Sequence, residues 1–146
     1  MSGTTDLLAE YECYRLVVAF ADAVDMQEYD RLRDLLTDDA VFARPTDPDN
    51  AIRGADAIVQ AFHMRPRNRL SVHMCTNVQI RLTGRDTAEG KCYVLLYSAD
   101  AAEPVMPGKG RKAMSSQLVG IYEDRFRRTE AGWRFSERRG RLLFHT

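Results

Sequence analysis

The sequence has no apolar run approaching the ~20 residues that cross a bilayer as a helix, so no membrane span is expected. Its first residues, MSGTTDLLAEYE, lack the basic and apolar regions of a secretory signal, and the expected setting is the cytoplasm. It also lacks net charge, because 21 Lys and Arg offset 21 Asp and Glu. Proteins that grip phosphate backbones usually carry a basic excess, so nucleic acid is not an expected partner. Cysteine is sparse and odd in number: Cys13, Cys75 and Cys92. That count, without close pairs, argues against a disulfide framework or a zinc site and for reduced, buried thiols. The histidines, His63, His73 and His145, show no ligand spacing with the acids, so neither metal nor cofactor is expected. Repeats and domain boundaries are missing as well, and residues 1–146 are read as one domain.

What is present is a long alternation, Arg69 to Leu82, RLSVHMCTNVQIRL. Leu70, Val72, Met74, Thr76, Val78, Ile80 and Leu82 fall on one side, Ser71, His73, Cys75, Asn77, Gln79 and Arg81 on the other. Period two over this length predicts a β-strand with one apolar face on a core. The opposite face carries an imidazole, a thiol and an amide, which solvent exposure alone does not require.

The rest can be laid out around that strand. Thr5-Asp6 can cap a helix whose positions 7, 11, 14, 17, 21 and 24 form a stripe, with Asp25 at its C-terminal end. A carboxylate is unfavourable at that end of the helix dipole, which invites a reason for it. Gln27 to Leu36 reads as a second helix, Thr37 to Asp39 as a turn, and Ala40 to Arg44 as a short strand. PTDPDN, residues 45–50, reads as a loop by its prolines. A third helix, Ala55 to Met64, stops before Pro66. Strands follow at 88–99, 113–128 and 133–144, with a Pro- and Gly-rich linker over 100–112 that could be a lid or disordered. Seven arginines crowd residues 125–141, more naturally a salt-bridged sheet than an anion site. Helices followed by hairpin-linked strands predict an α+β fold, an antiparallel sheet packed on helices.

Three phrases, FADAVDMQEYDRLRDLLTDDAVF (20–42), VHMCTNVQI (72–80) and GIYEDRFRRTEAGWRFSERR (120–139), in this order resemble the SnoaL-like proteins of the nuclear transport factor 2-like superfamily. The resemblance implies a cystatin-like α+β roll: a curved antiparallel or mixed sheet wrapped around three helices, forming a cone with an internal pocket. It also implies a homodimer through the sheet. In the scytalone dehydratase-like and lindane dehydrochlorinase-like members an Asp ending the first helix pairs with a strand His. Asp25 and His73 occupy those places, with Asn77 four residues on. The tyrosine that precedes the helix Asp in scytalone dehydratases is Val24 here, and their second pocket histidine has no counterpart. The resemblance therefore implies an Asp–His base rather than a scytalone-type substrate.

A carboxylate on one ring nitrogen fixes the tautomer and leaves the other free to take a proton from carbon. Elimination, dehydration and double-bond isomerisation all begin with that step. Tyr122, Asn77, Arg44 and Arg138 are candidates to hold the developing negative charge, and Phe20, Phe42 and Phe62 to line the pocket. The expected activity is a cofactor-free lyase or isomerase acting on a small cyclic or polyketide-like molecule, with His73 and Asp25 catalytic. The same fold also serves polyketide cyclases that use an aspartate, and non-catalytic modules such as dioxygenase β subunits.

Overall fold

The computed structural model describes residues 3–146. The chain begins with helix α1 (Thr4–Asp25), a 3₁₀ helix (Tyr29–Leu35), strands β1 (Leu36–Arg44) and β2 (Asp47–Arg53), and helix α2 (Ala55–His63). Four long strands complete it: β3 (Arg69–Leu82), β4 (Thr87–Asp100), β5 (Leu118–Thr129) and β6 (Gly132–His145). They form one six-stranded sheet in the order β2-β1-β6-β5-β4-β3. Only β1 and β6 run parallel; every other pairing is antiparallel, so the sheet is mixed. The sheet is curved and unclosed, and the three helices lie in its hollow, as the fold class expected.

Helix α1 buries Ala9, Cys13, Leu16, Val17, Phe20, Ala23 and Val24, a stripe at helical spacing. This is not the stripe the sequence predicted. Leu7, Tyr11 and Tyr14 are exposed, because small Ala9, Cys13 and Ala23 let the helix backbone sit close to the sheet. The cap also differs: Gly3 is the cap residue, and its N–H donates to Asp6 Oδ2 at 3.3 Å. The core continues through Leu32, Ile58, Ala88, Phe126 and Phe135, and the Phe126 and Phe135 rings lie 4.9 Å apart.

Three further boundaries depart from expectation. The second helix is a 3₁₀ helix over residues 29–35 rather than spanning 27–36, and Thr37 to Asp39, with Leu36, belong to β1 rather than to a turn. The expected loop is largely β2, an edge strand, where the missing N–H of Pro48 costs no ladder bond on the open side. Residues 113–117 are not strand; β5 starts at Leu118.

The main correction concerns β3. Its register against β4 shifts between Thr76 and Gln79, and Asn77 has a positive φ of 53°. This is a β-bulge: one extra residue, in a left-handed conformation that Asn tolerates, reverses which side chains face inward. Ser71 is buried before the bulge and Val78, Ile80 and Leu82 pack on the core after it, while Val72 and Met74 are exposed. The apolar face predicted over the whole strand exists only in its second half.

Candidate active site

Helix α1 ends in a tight cap that positions Asp25. Gln27, at φ 56°, turns the chain out of the helix, with its N–H donating to Val24 O at 3.1 Å. Its side-chain amide then donates to the carbonyls of Arg67 at 3.1 Å and Arg69 at 3.3 Å, lashing the helix end to the start of β3. The Asp25 carboxylate therefore sits against the polar half of β3. It accepts three hydrogen bonds there: from Ser71 Oγ at 3.0 Å, from the His73 backbone N–H at 2.7 Å, and from His73 Nδ1 at 2.5 Å. The unfavourable placement at the helix end is offset by these donors. Both side chains are largely buried, His73 at 15% exposure and Asp25 at 17%. With Nδ1–H donating to Asp25, Nε2 is left as an acceptor and bonds no protein group among the described residues.

His73 lines a cavity of about 350 Å³ between α1, α2 and the concave face of the sheet. Phe20, Phe42, Phe62, Arg44, Tyr122 and Arg138 line it too. Asp25 stands behind His73 rather than in the wall. Asn77 is the exception: it is exposed, outside the cavity wall, and serves as the bulge. The 100–112 segment does not line the cavity either.

The floor is polar and deeply buried. Arg138 lies under Tyr122, its guanidinium carbon 3.9 Å from the ring centroid, and 4.7 Å from that of Phe20. It faces Asp124, the residue opposite it across the β5–β6 ladder, at 3.1 Å from Nε to Oδ1. Their alignment is outside hydrogen-bonding geometry, so the contact is an ion pair. Burial pushes the Asp124 carboxyl up to about 7, with Arg138 pulling the other way. Burial likewise pushes the Tyr122 hydroxyl up to about 12.

Sequence reasoning missed several wall residues. Cys75, read as a small hydrophobe, lines the cavity two residues from His73. Hydrogen bonding from Cys92 holds its thiol down to about 6 against burial, with Arg138 and His73 assisting. Arg65 and Arg69 line the cavity as well, and Ser71 holds Asp25. Ser71 could have been found, because it lies on the face of His73 by period two. Arg69 shares that face as the first residue of β3, whereas Arg65, in the connection before the strand, gave no comparable signal.

A curved, unclosed mixed sheet with three helices in its hollow is the fold of the nuclear transport factor 2-like superfamily. The profile of the SnoaL-like domain matches residues 5–139, and the chain belongs to that family. Among solved structures it is similar to a candidate scytalone dehydratase from Novosphingobium aromaticivorans (21% identity, TM-score 0.77, covering 97% of this chain and 89% of that one). It is similar to hexachlorocyclohexane dehydrochlorinase LinA-type3 from Novosphingobium barchaimii (20%, TM-score 0.77, 96% and 90%). A nuclear transport factor 2-like protein with a cystatin-like fold from N. aromaticivorans is a third (19%, TM-score 0.74, 98% and 92%). At these identities the likeness establishes the fold alone. No curated protein matches the chain.

Proposed function

We propose that the chain is a lyase or isomerase of the dehydratase type, in which His73 Nε2 removes a proton from carbon and Asp25 orients the ring. The substrate class is a small cyclic or polyketide-like molecule. The observation that carries this reading is the 2.5 Å contact between His73 Nδ1 and Asp25 beside a cavity of ligand size. A neutral imidazole held by that contact accepts at Nε2, which is the role of a general base. As the proton leaves carbon, negative charge grows on the substrate. The hydroxyl of Tyr122 and the guanidinium of Arg138 are the wall groups suited to receive it. Phe20, Phe42 and Phe62 exclude water around the reacting carbon. The free cysteines suit a reducing, cytoplasmic setting.

The test is hydrogen–deuterium exchange at carbon. A panel of small cyclic ketones in D₂O is followed by NMR with the wild type, His73→Gln and Asp25→Asn. Exchange of one ketone that falls at least about 100-fold in both variants supports the reading. Exchange that survives His73→Gln but not Asp25→Asn points instead to an aspartate acid–base mechanism of the cyclase kind.

The outer face of the sheet supports a homodimer as the second part of the reading. Tyr93 lies beside Thr76 and Ile121, and Leu95 beside Met74 and Val119. Val72, Met74, Tyr93 and Phe144 on this face are exposed. Light scattering on the purified chain should return twice the monomer mass.

A further inference from the structure

Half of the 18 arginines have a carboxylate within ion-pair distance among the described residues. Arg125, Arg127, Arg128, Arg139 and Arg141 each face a carboxylate on the sheet surface, and Arg138 faces Asp124 in the floor. Three of the unpaired ones gather at the cavity rim. Arg44, Arg65 and Arg69 all line the cavity, yet none has a carboxylate within ion-pair distance among the described residues. The acid nearest in function, Asp25, has its carboxylate committed to Ser71 and His73.

Two of these cations are held in place rather than waving in water. Arg44 is half-buried, donates from Nη2 to Ala61 O at 3.0 Å, and sits 5.7 Å from the Phe62 centroid. Arg65 is half-buried and sits 5.8 Å from the same centroid. The third, Arg69, is fixed through its carbonyl by Gln27. Burial, with Arg69 and Arg44 adding to it, pulls Arg65 below its ordinary value. Cations gathered and partly desolvated without a counter-charge are costly, and an anion relieves that cost. Guanidinium forks match planar or tetrahedral oxyanions by paired N–H bonds. Beneath the rim the wall turns apolar, with Phe20, Phe42, Val94 and Leu96.

We propose that the cavity takes a substrate bearing an oxyanion, a carboxylate or a phosphate, on an apolar body. Arg44, Arg65 and Arg69 hold the oxyanion at the rim and the body reaches down to His73. This inference rests on the reading of His73 as the base and assigns the substrate class of that site.

The test uses 2-naphthoate, 2-naphthyl phosphate and neutral 2-naphthamide as probes. Each is titrated into the full chain while the His73 ring signals are followed by NMR, and the titrations are repeated with Arg44→Gln/Arg65→Gln and with Arg69→Gln. Circular dichroism melts check that the variants fold, and exposed Arg69 provides a change that the core does not feel. At least one oxyanion should bind about tenfold or more tighter than the amide. That preference should shrink in both variants while amide affinity holds, and the better of the two acids names the oxyanion. Equal binding of acids and amide, or a preference untouched by the variants, overturns the proposal. If the amide still moves the His73 signals in that case, the cavity reading of His73 stands without it. If no probe moves them, both fall.

Discussion

The two halves of β3 face the same hollow with opposite chemistry. Before Asn77 the inward residues are Ser71, His73 and Cys75; after it they are Val78, Ile80 and Leu82. The first half meets Asp25 and the cavity, the second half meets the apolar core. A single left-handed residue separates them. The difference shows how one strand can serve a site and a core at once: a bulge changes the parity, so neither half has to compromise its pattern.

Deleting Asn77 should break the comparison most severely. A straight β3 can keep only one half in place. The second half is tied to β4 by the short 83–86 connection, so the first half should invert, turning His73 outward and Val72 and Met74 inward. The three bonds to Asp25 are worth about 1.5–3 kcal/mol each, so a loss of several kcal/mol is expected in urea unfolding. Wild-type stability in this deletion would contradict the role given to the bulge.

The next largest effect belongs to the polar floor. Asp124→Asn leaves Arg138 buried without its counter-charge and should cost about 3–5 kcal/mol. Arg138→Met with Asp124→Leu should recover most of that in thermal unfolding, because a buried pair is often no better than apolar residues of similar size. A double variant as unstable as the single would show that the pair does more than neutralise itself.

A milder probe acts on the bulge itself. Asn77→Val should cost about 1–2 kcal/mol, since a β-branched residue is strained at φ 53°, whereas Asn77→Gly should be close to neutral. Equal effects of Val and Gly would mean that the backbone angle is not what fixes the parity.

The smallest effect is read in reactivity rather than stability. Cys75 lines the cavity with a thiol held down to about 6, and Cys13 is buried with a thiol pushed up to about 12. Iodoacetamide should therefore label Cys75 first. Its rate should rise as pH passes about 6 and level off above that, because the thiolate is the nucleophile. Mass spectrometry locates the adduct, and labelling of Cys13 in the folded chain at neutral pH would contradict the burial described.

How far the sequence could be read follows from the kind of signal each feature leaves. Apart from β2, the element order and the length of β3 were legible from local periodicity, and the Asp25–His73 pairing from the resemblance carried by the phrases that hold the two residues. The cavity wall was legible where bulky or charged residues lay on such elements, as with Phe42 and Arg138. The bulge was not: Asn77 fits the alternation as written, and its φ is set by the partner strand. β2 was hidden by Pro48, whose tolerance depends on lying at a sheet edge. The buried stripe of α1 was misplaced because Ala9 and Cys13 are quieter than Leu7 and Tyr11 in any hydropathy pattern, yet closeness of approach favours the smaller side chains. Arg65 was invisible because it lies in a short connection, where no periodicity speaks for it.

The central claim is that Asp25 grips the His73 ring by Nδ1 and leaves Nε2 open to the cavity. Long-range ¹H–¹⁵N NMR of the histidine rings tests it directly at a pH where His73 is neutral. The account expects a protonated Nδ1 with a far-downfield proton that vanishes in Asp25→Asn, beside an unprotonated Nε2. An Nε2-protonated ring, or a signal indifferent to Asp25→Asn, would contradict it.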